Sequence, residues 1–380
     1  MKQKVAFLSV IVVALILSSW PILLAQESQK PLALINGTLI DGTGSDSMSD
    51  SVVIIKKDRI AAVGSSRSLK VPSNAKVVDV KGMTILPGFI NAHVHNAYRD
   101  FNLRTWAQDG VTTVRDLGTQ FGKRAFQIRD ELLKDSRNAR LVAAGPQVTA
   151  LGGYHPLVRL EVSGPEDASK KVNELADAGA DLIKIMIEDH LMRRQWPMLS
   201  MDEINSIVKT AYERGLPVSA HITRARHLEK AIKGGVDDVA HMIIIDDLSK
   251  DHIDRMNTKK IYWVPTLELW KIVSQMYNLD WKAKSVENLR RFIQAGGKVA
   301  LGTDFGGASG SFDSGMPITE MELMKEAGMR PMQIIVAGTK YAAHVCNLEN
   351  ELGTIETGKI ADIIIVSFVF ILILPNGPAI

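Results

Sequence analysis

The chain has 380 residues, 46% of them hydrophobic and 23% charged, with a formal net charge of +3. That length supports one large domain, or one large and one small, around an ordinary globular core. The near-neutral balance, with no basic block and no interleaved aromatic pattern, argues against a nucleic-acid surface.

The N-terminus opens on Met-Lys-Gln-Lys, a short basic start, followed by an apolar run over 5–17 and a break at Ser18, Ser19, Trp20 and Pro21. With a small residue at Ala25, residues 1–25 read as a secretory signal peptide. Left uncleaved, the stretch approaches the length of a membrane span and would act as an anchor. Either way the folded part is expected outside the cytoplasm, periplasmic or extracellular, with no further membrane contact. Cys346 is the only cysteine, so no intramolecular disulfide can form, and it reads as a small buried residue.

Residues 30–83 carry short strand patterns with turn glycines, among them Leu32-Ala-Leu-Ile-Asn-Gly, Ser51-Val-Val-Ile-Ile-Lys and Lys76-Val-Val-Asp-Val. From residue 84 the rhythm changes to strand, then helix. Strands are predicted at 84–95, 111–117, 140–145, 181–187, 216–222, 237–243, 261–267 and 298–305. Helices are predicted at 120–136, 165–178, 200–214, 225–234 and 285–295, and Gly179, Gly215 and Gly296 close three of them. Eight strands alternating with helices predict an α/β fold, a parallel (β/α)8 TIM-like barrel over 84–348. An open doubly wound sheet is the alternative, although no Gly-x-Gly-x-x-Gly follows a strand. Residues 317–347 read as helical, and the pattern returns to strands near 353–366.

Barrel enzymes place their chemistry at the C-terminal ends of the strands. The first strand ends His93-Val-His95, and residues i and i+2 share one strand face, so two imidazoles about 6–7 Å apart could serve one ion. Alone, His-x-His is a weak signal. The fourth strand embeds Lys184 among Ile183, Ile185 and Met186; the fifth ends in His221, the sixth in His241 and the eighth in Asp304. A single strand-end histidine is often structural, and an aspartate after a strand often caps a helix. A buried lysine is rarer, because desolvating an ammonium is costly. Six such residues on five strands of one barrel converge on one mouth. Four imidazoles, a carboxylate and an amine suit two divalent metals.

The carriers Leu86-Pro-Gly-Phe-Ile-Asn-Ala-His-Val-His95, Gly110-Val-Thr-Thr-Val-Arg-Asp-Leu-Gly118, Ile183-Lys-Ile185, Ala220-His221, Ala240-His241, Gly302-Thr-Asp304 and Gly358-Lys-Ile-Ala-Asp362 follow one another in this order. The chain thereby resembles the amidohydrolase superfamily, most closely its imidazolonepropionase-like and metal-dependent dipeptidase (prolidase-like) members. The resemblance implies that His93, His95 and Asp304 hold the more buried metal and that His221 and His241 hold the second. Lys184, carboxylated by carbon dioxide, would bridge both, and burial would supply the neutral amine that this needs. It further implies a metal-dependent amidohydrolase that cleaves a C–N bond in a dipeptide-like or cyclic amide. A hydroxide bridging two divalent ions, zinc first among them, would attack, with Asp304 as catalytic base and acid. An esterase, lactonase or phosphotriesterase could use the same metal pair. A catalytically silent secreted binding protein is the alternative from another class. The partner is a small-molecule amide or dipeptide, and a homo-oligomer is compatible with the reading.

Other positions carry less weight. Tyr154 and His155 lie in a loop where the resembled families carry Gly-Gly-His-Gly, while this chain has Gly152-Gly-Tyr-His155; substrate contact and loop packing are both open. Arg224, like Arg226, could grip a substrate carboxylate or simply begin a solvated helix. Arg115 and Asp116 read as a structural ion pair or cap. Thr266 and Glu268 are candidates for the pocket wall. His190, His227, His252 and His344 are expected to do no chemistry. The resemblance also implies that residues 349–380 complete residues 30–83 into a small β-sandwich domain. Here the end of the chain departs from the family, running Val366-Ser-Phe-Val-Phe-Ile-Leu-Ile-Leu, a truncated or altered segment that would leave sheet edges unpaired.

Overall fold

A computed structural model of the chain describes residues 30–154 and 159–367. The expected signal segment, His155 and the tail beyond Ser367 lie outside the described residues. Among the described residues, no helix is long and apolar enough to cross a membrane.

The first five strands are β1 (Leu32–Leu39), β2 (Met48–Lys56), β3 (Arg59–Ser65), β4 (Lys76–Asp79) and β5 (Met83–Pro87). β1, β2 and β3 pair antiparallel in sequence order. The free edge of β1 takes β4 along its first half and β5 along its second, both parallel. Leu34, Leu39, Val53, Ile60, Val80 and Ile85 pack one small core against this sheet.

The following strands are β6 (Phe89–Val94), β7 (Val111–Asp116), β8 (Arg140–Ala143), β9 (Gln147–Ala150), β10 (Arg159–Val162) and β11 (Ile183–Met186). A two-residue hairpin, β12 (His190–Leu191) with β13 (Arg194–Gln195), precedes β14 (Val218–His221), β15 (Asp238–Ala240) and β16 (Tyr262–Val264). β6, β7 and β8 form one parallel sheet, and β10-β9-β11-β14-β15-β16 form another. β17 (Ile363–Ser367) then returns to pair antiparallel with β5, so the two ends of the described chain share a six-stranded sheet. Among the described residues this is one sheet, and the predicted β-sandwich is not confirmed by it. Among the described residues beyond 349, Ile363–Ser367 is the one stretch that extends as a strand. The preceding stretch is tied down by single bonds, Ile355 N to the Asp41 carbonyl and Gly358 N to the Ile60 carbonyl.

The helices form for readable reasons. Met201–Glu213 begins in a reciprocal cap, Ser200 accepting from Glu203 N while the Glu203 side chain accepts from Ser200 N. Its buried Ile204, Ile207, Val208 and Ala211 recur at helical spacing. Gly215, with φ +69°, then takes the left-handed turn that starts the next strand.

The eighth predicted strand is a correction. Residues 298–305 form only isolated bridges, Val299 with Trp263 and Phe305 with Val94. The segment still closes the circuit through single backbone bonds: Ala300 N to the Trp263 carbonyl on one side and Ala92 N to the Leu301 carbonyl on the other. A regular ladder is interrupted because Asp304 sits at φ +64°, outside extended backbone. Gly302 allows the close approach beside it, since a Cβ there would lie 2.4 Å from Val264 Cγ1 and 2.9 Å from His93 N. At the other seam, β8 reaches the start of the β11 segment through Asp181 N, which donates to the Ala143 carbonyl at 3.0 Å. The ladder is therefore discontinuous, although the strand and helix order is that of the barrel.

Candidate metal centre and active site

Cross-strand register stacks the site in rows. Lys184 faces Ser219, which faces Asp238; one row further toward the strand ends, Met186 faces His221, which faces Ala240. Side chains two apart share a face, so Lys184 lies in the row below His221. The lower row is anchored by a fully buried ion pair. Arg115 Nη1 and Nη2 donate to Asp238 Oδ2 and Oδ1 at 2.8 and 3.0 Å, and Ser219 Oγ donates to Asp238 Oδ1 at 2.7 Å. Arg115 also donates to the Ala92 and Val345 carbonyls, as a structural role requires. Asp116 accepts from Ala97 N and Gly118 N and so fixes the loop after β7.

The upper row converges. His93 Nε2 and His95 Nε2 lie 2.9 and 3.0 Å from Asp304 Oδ1. His93, His241 and Asp304 each offer a ligand atom within 4.8 Å of the others. The His93 and His241 rings are 4.8 Å apart, and those of His221 and His241 4.6 Å. His95 Nδ1 is bonded to the Gly118 carbonyl and His241 Nδ1 to Thr266 Oγ1, at 2.8 and 2.9 Å, leaving each Nε2 for the centre. His241, Asp304 and Thr266 all occupy positive φ, at +71°, +64° and +50°. Three strained non-glycine residues, one of them β-branched, thus stand where the side chains must be aimed.

These residues fit a divalent ion. Both ring nitrogens of His93, Asp304 Oδ1 and Lys184 Nζ are buried with no hydrogen-bond partner. Polar atoms this well buried normally find one, and a shared cation satisfies donors arranged in this way. Burial lowers the His93 pKa to about 3, leaving a neutral imidazole able to ligate. Burial acts to raise Asp304, but His93 and His95 outweigh it and hold the carboxyl well below its ordinary range. Burial brings the Lys184 amine down to about 7, against the upward pull of Asp238.

A cavity of about 430 Å³ opens over His93, His95, His221, His241 and Asp304. Tyr154 lines it, its ring 5.2 Å from that of His221 and 4.8 Å from that of Trp196. Arg224 does not line it; its Nε donates to the His190 carbonyl at 3.3 Å. Thr266 and Glu268 also stand off the wall. Thr266 holds His241, while Glu268 accepts from Asp313 N.

Sequence reasoning missed Glu188, which is fully buried two residues beyond β11. Its Oε2 lies 3.4 Å from His221 Nε2 and accepts from Thr223 Oγ1 at 2.5 Å, while Oε1 accepts from His190 N. This leaves His221 Nδ1 for the centre. Glu188, Asp189 and His227 form a second group of potential ligands, but Asp189 is engaged by His227 Nε2 and Arg226 at 2.8 and 2.6 Å. An acidic side chain just past a strand was the available signal for Glu188.

The sequence profile of the amidohydrolase family matches residues 84–377. The chain belongs to that family. This amidohydrolase is therefore a metal-dependent hydrolase acting on C–N bonds. It is 25% identical to the imidazolonepropionase of Bdellovibrio bacteriovorus over 358 residues, covering 83% of this chain and 82% of that protein. It is likewise 25% identical to an ochratoxinase of Aspergillus niger, covering 93% of this chain and 84% of that one. A solved Xaa-Pro dipeptidase with methionine in its active site aligns with a TM-score of 0.78 at 25% identity, across 91% of this chain and 97% of its own. These likenesses identify the discontinuous parallel circuit as a TIM-like barrel.

Proposed function

We propose that this amidohydrolase cleaves the C–N bond of a small dipeptide-like or cyclic amide with two divalent ions, zinc by preference. The observation that carries the reading is Asp304 Oδ1, without a hydrogen bond and flanked by His93 Nε2 and His95 Nε2. His93, His95 and Asp304 would hold one ion, His221 and His241 the other, with Lys184 between them. The dipeptidase and imidazolonepropionase relatives support this substrate range.

Lys184 would enter as a carbamate. Its neutral amine forms an N–C bond to carbon dioxide and releases one proton, leaving an anionic group with two oxygens. Bound ions supply an acidified water and polarise the scissile carbonyl. Asp304 takes the proton from the attacking water at Oδ2 and delivers it to the departing amine nitrogen. That oxygen lies against Gly307, where a Cβ would come within 2.0 Å of it. Glu188 and Thr266 hold the His221 and His241 rings in the tautomers ligation needs. The basic start and apolar run of residues 1–25 support a place outside the cytoplasm.

Metal analysis of the purified chain after zinc loading, with a screen of dipeptides and cyclic amides, tests the reading. Two equivalents per chain with amide turnover support it. A chain that binds no metal and cleaves no amide overturns it. Mass spectrometry of the intact protein at pH 8 with bicarbonate reads the carbamate as an added carbon dioxide, absent in Lys184→Ala.

A further inference from the structure

The cavity is lined from several segments, and two of them are unlike in size. Beside Asp304 and His95 its wall is the small segment 306–309, Gly-Gly-Ala-Ser. Beside His241 the wall is one face of the Leu267–Tyr277 helix, from which Leu269, Trp270, Val273 and Tyr277 all reach the cavity. Leu269, Val273 and Tyr277 are four apart, so they form a single stripe along the helix. The Trp270 ring stands 5.8 Å from the His241 ring, and Trp281, which also lines the cavity, packs edge-on against it at 5.8 Å. Leu269, Trp270 and Val273 are almost covered, whereas Tyr277 is 55% exposed. The stripe thus runs from the metal ligands up to the mouth. Leu269, Trp270 and Val273 also belong to the main core, so the stripe serves core and wall together.

Resting on the hydrolase reading above, we infer that the substrate is an amide with one large, uncharged apolar arm, aryl or branched alkyl. The arm lies along Leu269, Trp270, Val273 and Tyr277, and the smaller side of the amide lies over 306–309. Ring and methylene contacts against this wall exclude water and orient the scissile carbonyl over the histidines. A carboxylate on the arm would be desolvated against indole and aliphatic carbon, which is unfavourable without a cation beside it. Arg224, the cation that could have served, is engaged with the His190 carbonyl instead.

The test uses the zinc-loaded full chain and N-methyl amides whose acyl group ends in methyl, phenylpropyl or carboxypropyl, with the mirrored set carrying the same arms on nitrogen. In one of the two sets the phenylpropyl amide is expected to exceed both others at least tenfold in kcat/KM. Tyr277→Ala should reduce that preference about fivefold, as expected for losing one ring face of contact. Met276→Ala, on the exposed neighbour outside the wall, should leave the preference unchanged. Calorimetric binding of the same amides reads the subsite without turnover, and the phenylpropyl arm should bind more tightly by a similar factor. Equal binding of phenylpropyl and carboxypropyl amides, or a preference untouched by Tyr277→Ala, overturns the inference. Tight phenylpropyl binding with no amide cleaved upholds the apolar wall and overturns the hydrolase reading instead.

Discussion

Arg115 and Asp238 form a bidentate ion pair with neither side chain exposed, and Asp238 lies in the same barrel row as Lys184. A buried pair contributes little net stability relative to apolar residues, but removing one partner strands the other charge. Arg115→Met should therefore lower stability by about 3–5 kcal/mol in urea unfolding. It would also free the Ala92 carbonyl just before His93. A loss under about 1 kcal/mol would show that the pair is not structural.

Asp304 carries two duties that can be separated. Asp304→Asn keeps an oxygen beside His93 and His95 but removes the proton acceptor. We expect most of the bound metal to remain and turnover to fall at least a hundredfold, read by metal content and kcat on one sample. Gly307→Ala probes the same group from outside, since its methyl would displace Oδ2. It should also reduce kcat while the thermal midpoint changes little. Full activity in Asp304→Asn would sink the assignment.

Glu188 orients His221 and touches no other proposed ligand in the described residues. Glu188→Gln should weaken the second ion about 10–100-fold, as loss of an outer partner does, and leave the first in place. Equilibrium dialysis against graded zinc reads this as a split between two affinities, where a general loss of fold would weaken both. Two unchanged affinities would remove Glu188 from the site.

The candidate ligand positions were legible because five of the six stand at the ends of predicted strands, and strand ends can be read from apolar runs bounded by polar residues. His93, His95, His221, His241 and Asp304 fall on such ends and line one cavity, whereas Lys184 sits inside its strand, one row below His221. Glu188 offered only a weak signal, an acidic side chain just past a strand, because a loop has no period to mark it. The Leu267–Tyr277 helix was missed for another reason. It buries the polar Glu268 and Ser274 beside Leu267 and its cavity stripe, so polar residues interrupt its buried face and the helical period is blurred. The eighth strand was overread: its apolar run is real, but the positive φ at Asp304 interrupts the ladder. Gln147–Ala150 and Arg159–Val162, each four residues long, were too short to stand out.

Glu268 and Glu320 give the fold a pH dependence of definite sign. Burial raises Glu268 to about 7 and Glu320 to about 8. Glu320 accepts from Leu267 N and Glu268 N at the start of the wall helix, while Glu268 Oε2 has no partner. Unfolded, both carboxyls titrate near 4.5, so between that pH and about 8 the folded state holds protons that the unfolded state has lost. Stability must fall as pH rises through this window. Below about 4.5 both states are protonated and the penalty vanishes; above about 8 it is complete. Glu268→Gln keeps an acceptor for Asp313 N and removes one of the two charges. In metal-free protein it should gain roughly 1–3 kcal/mol at pH 8 and almost nothing at pH 5. Urea unfolding at pH 5, 6, 7 and 8 reads the difference, and parallel curves for the variant and the natural chain would exclude Glu268 as its source.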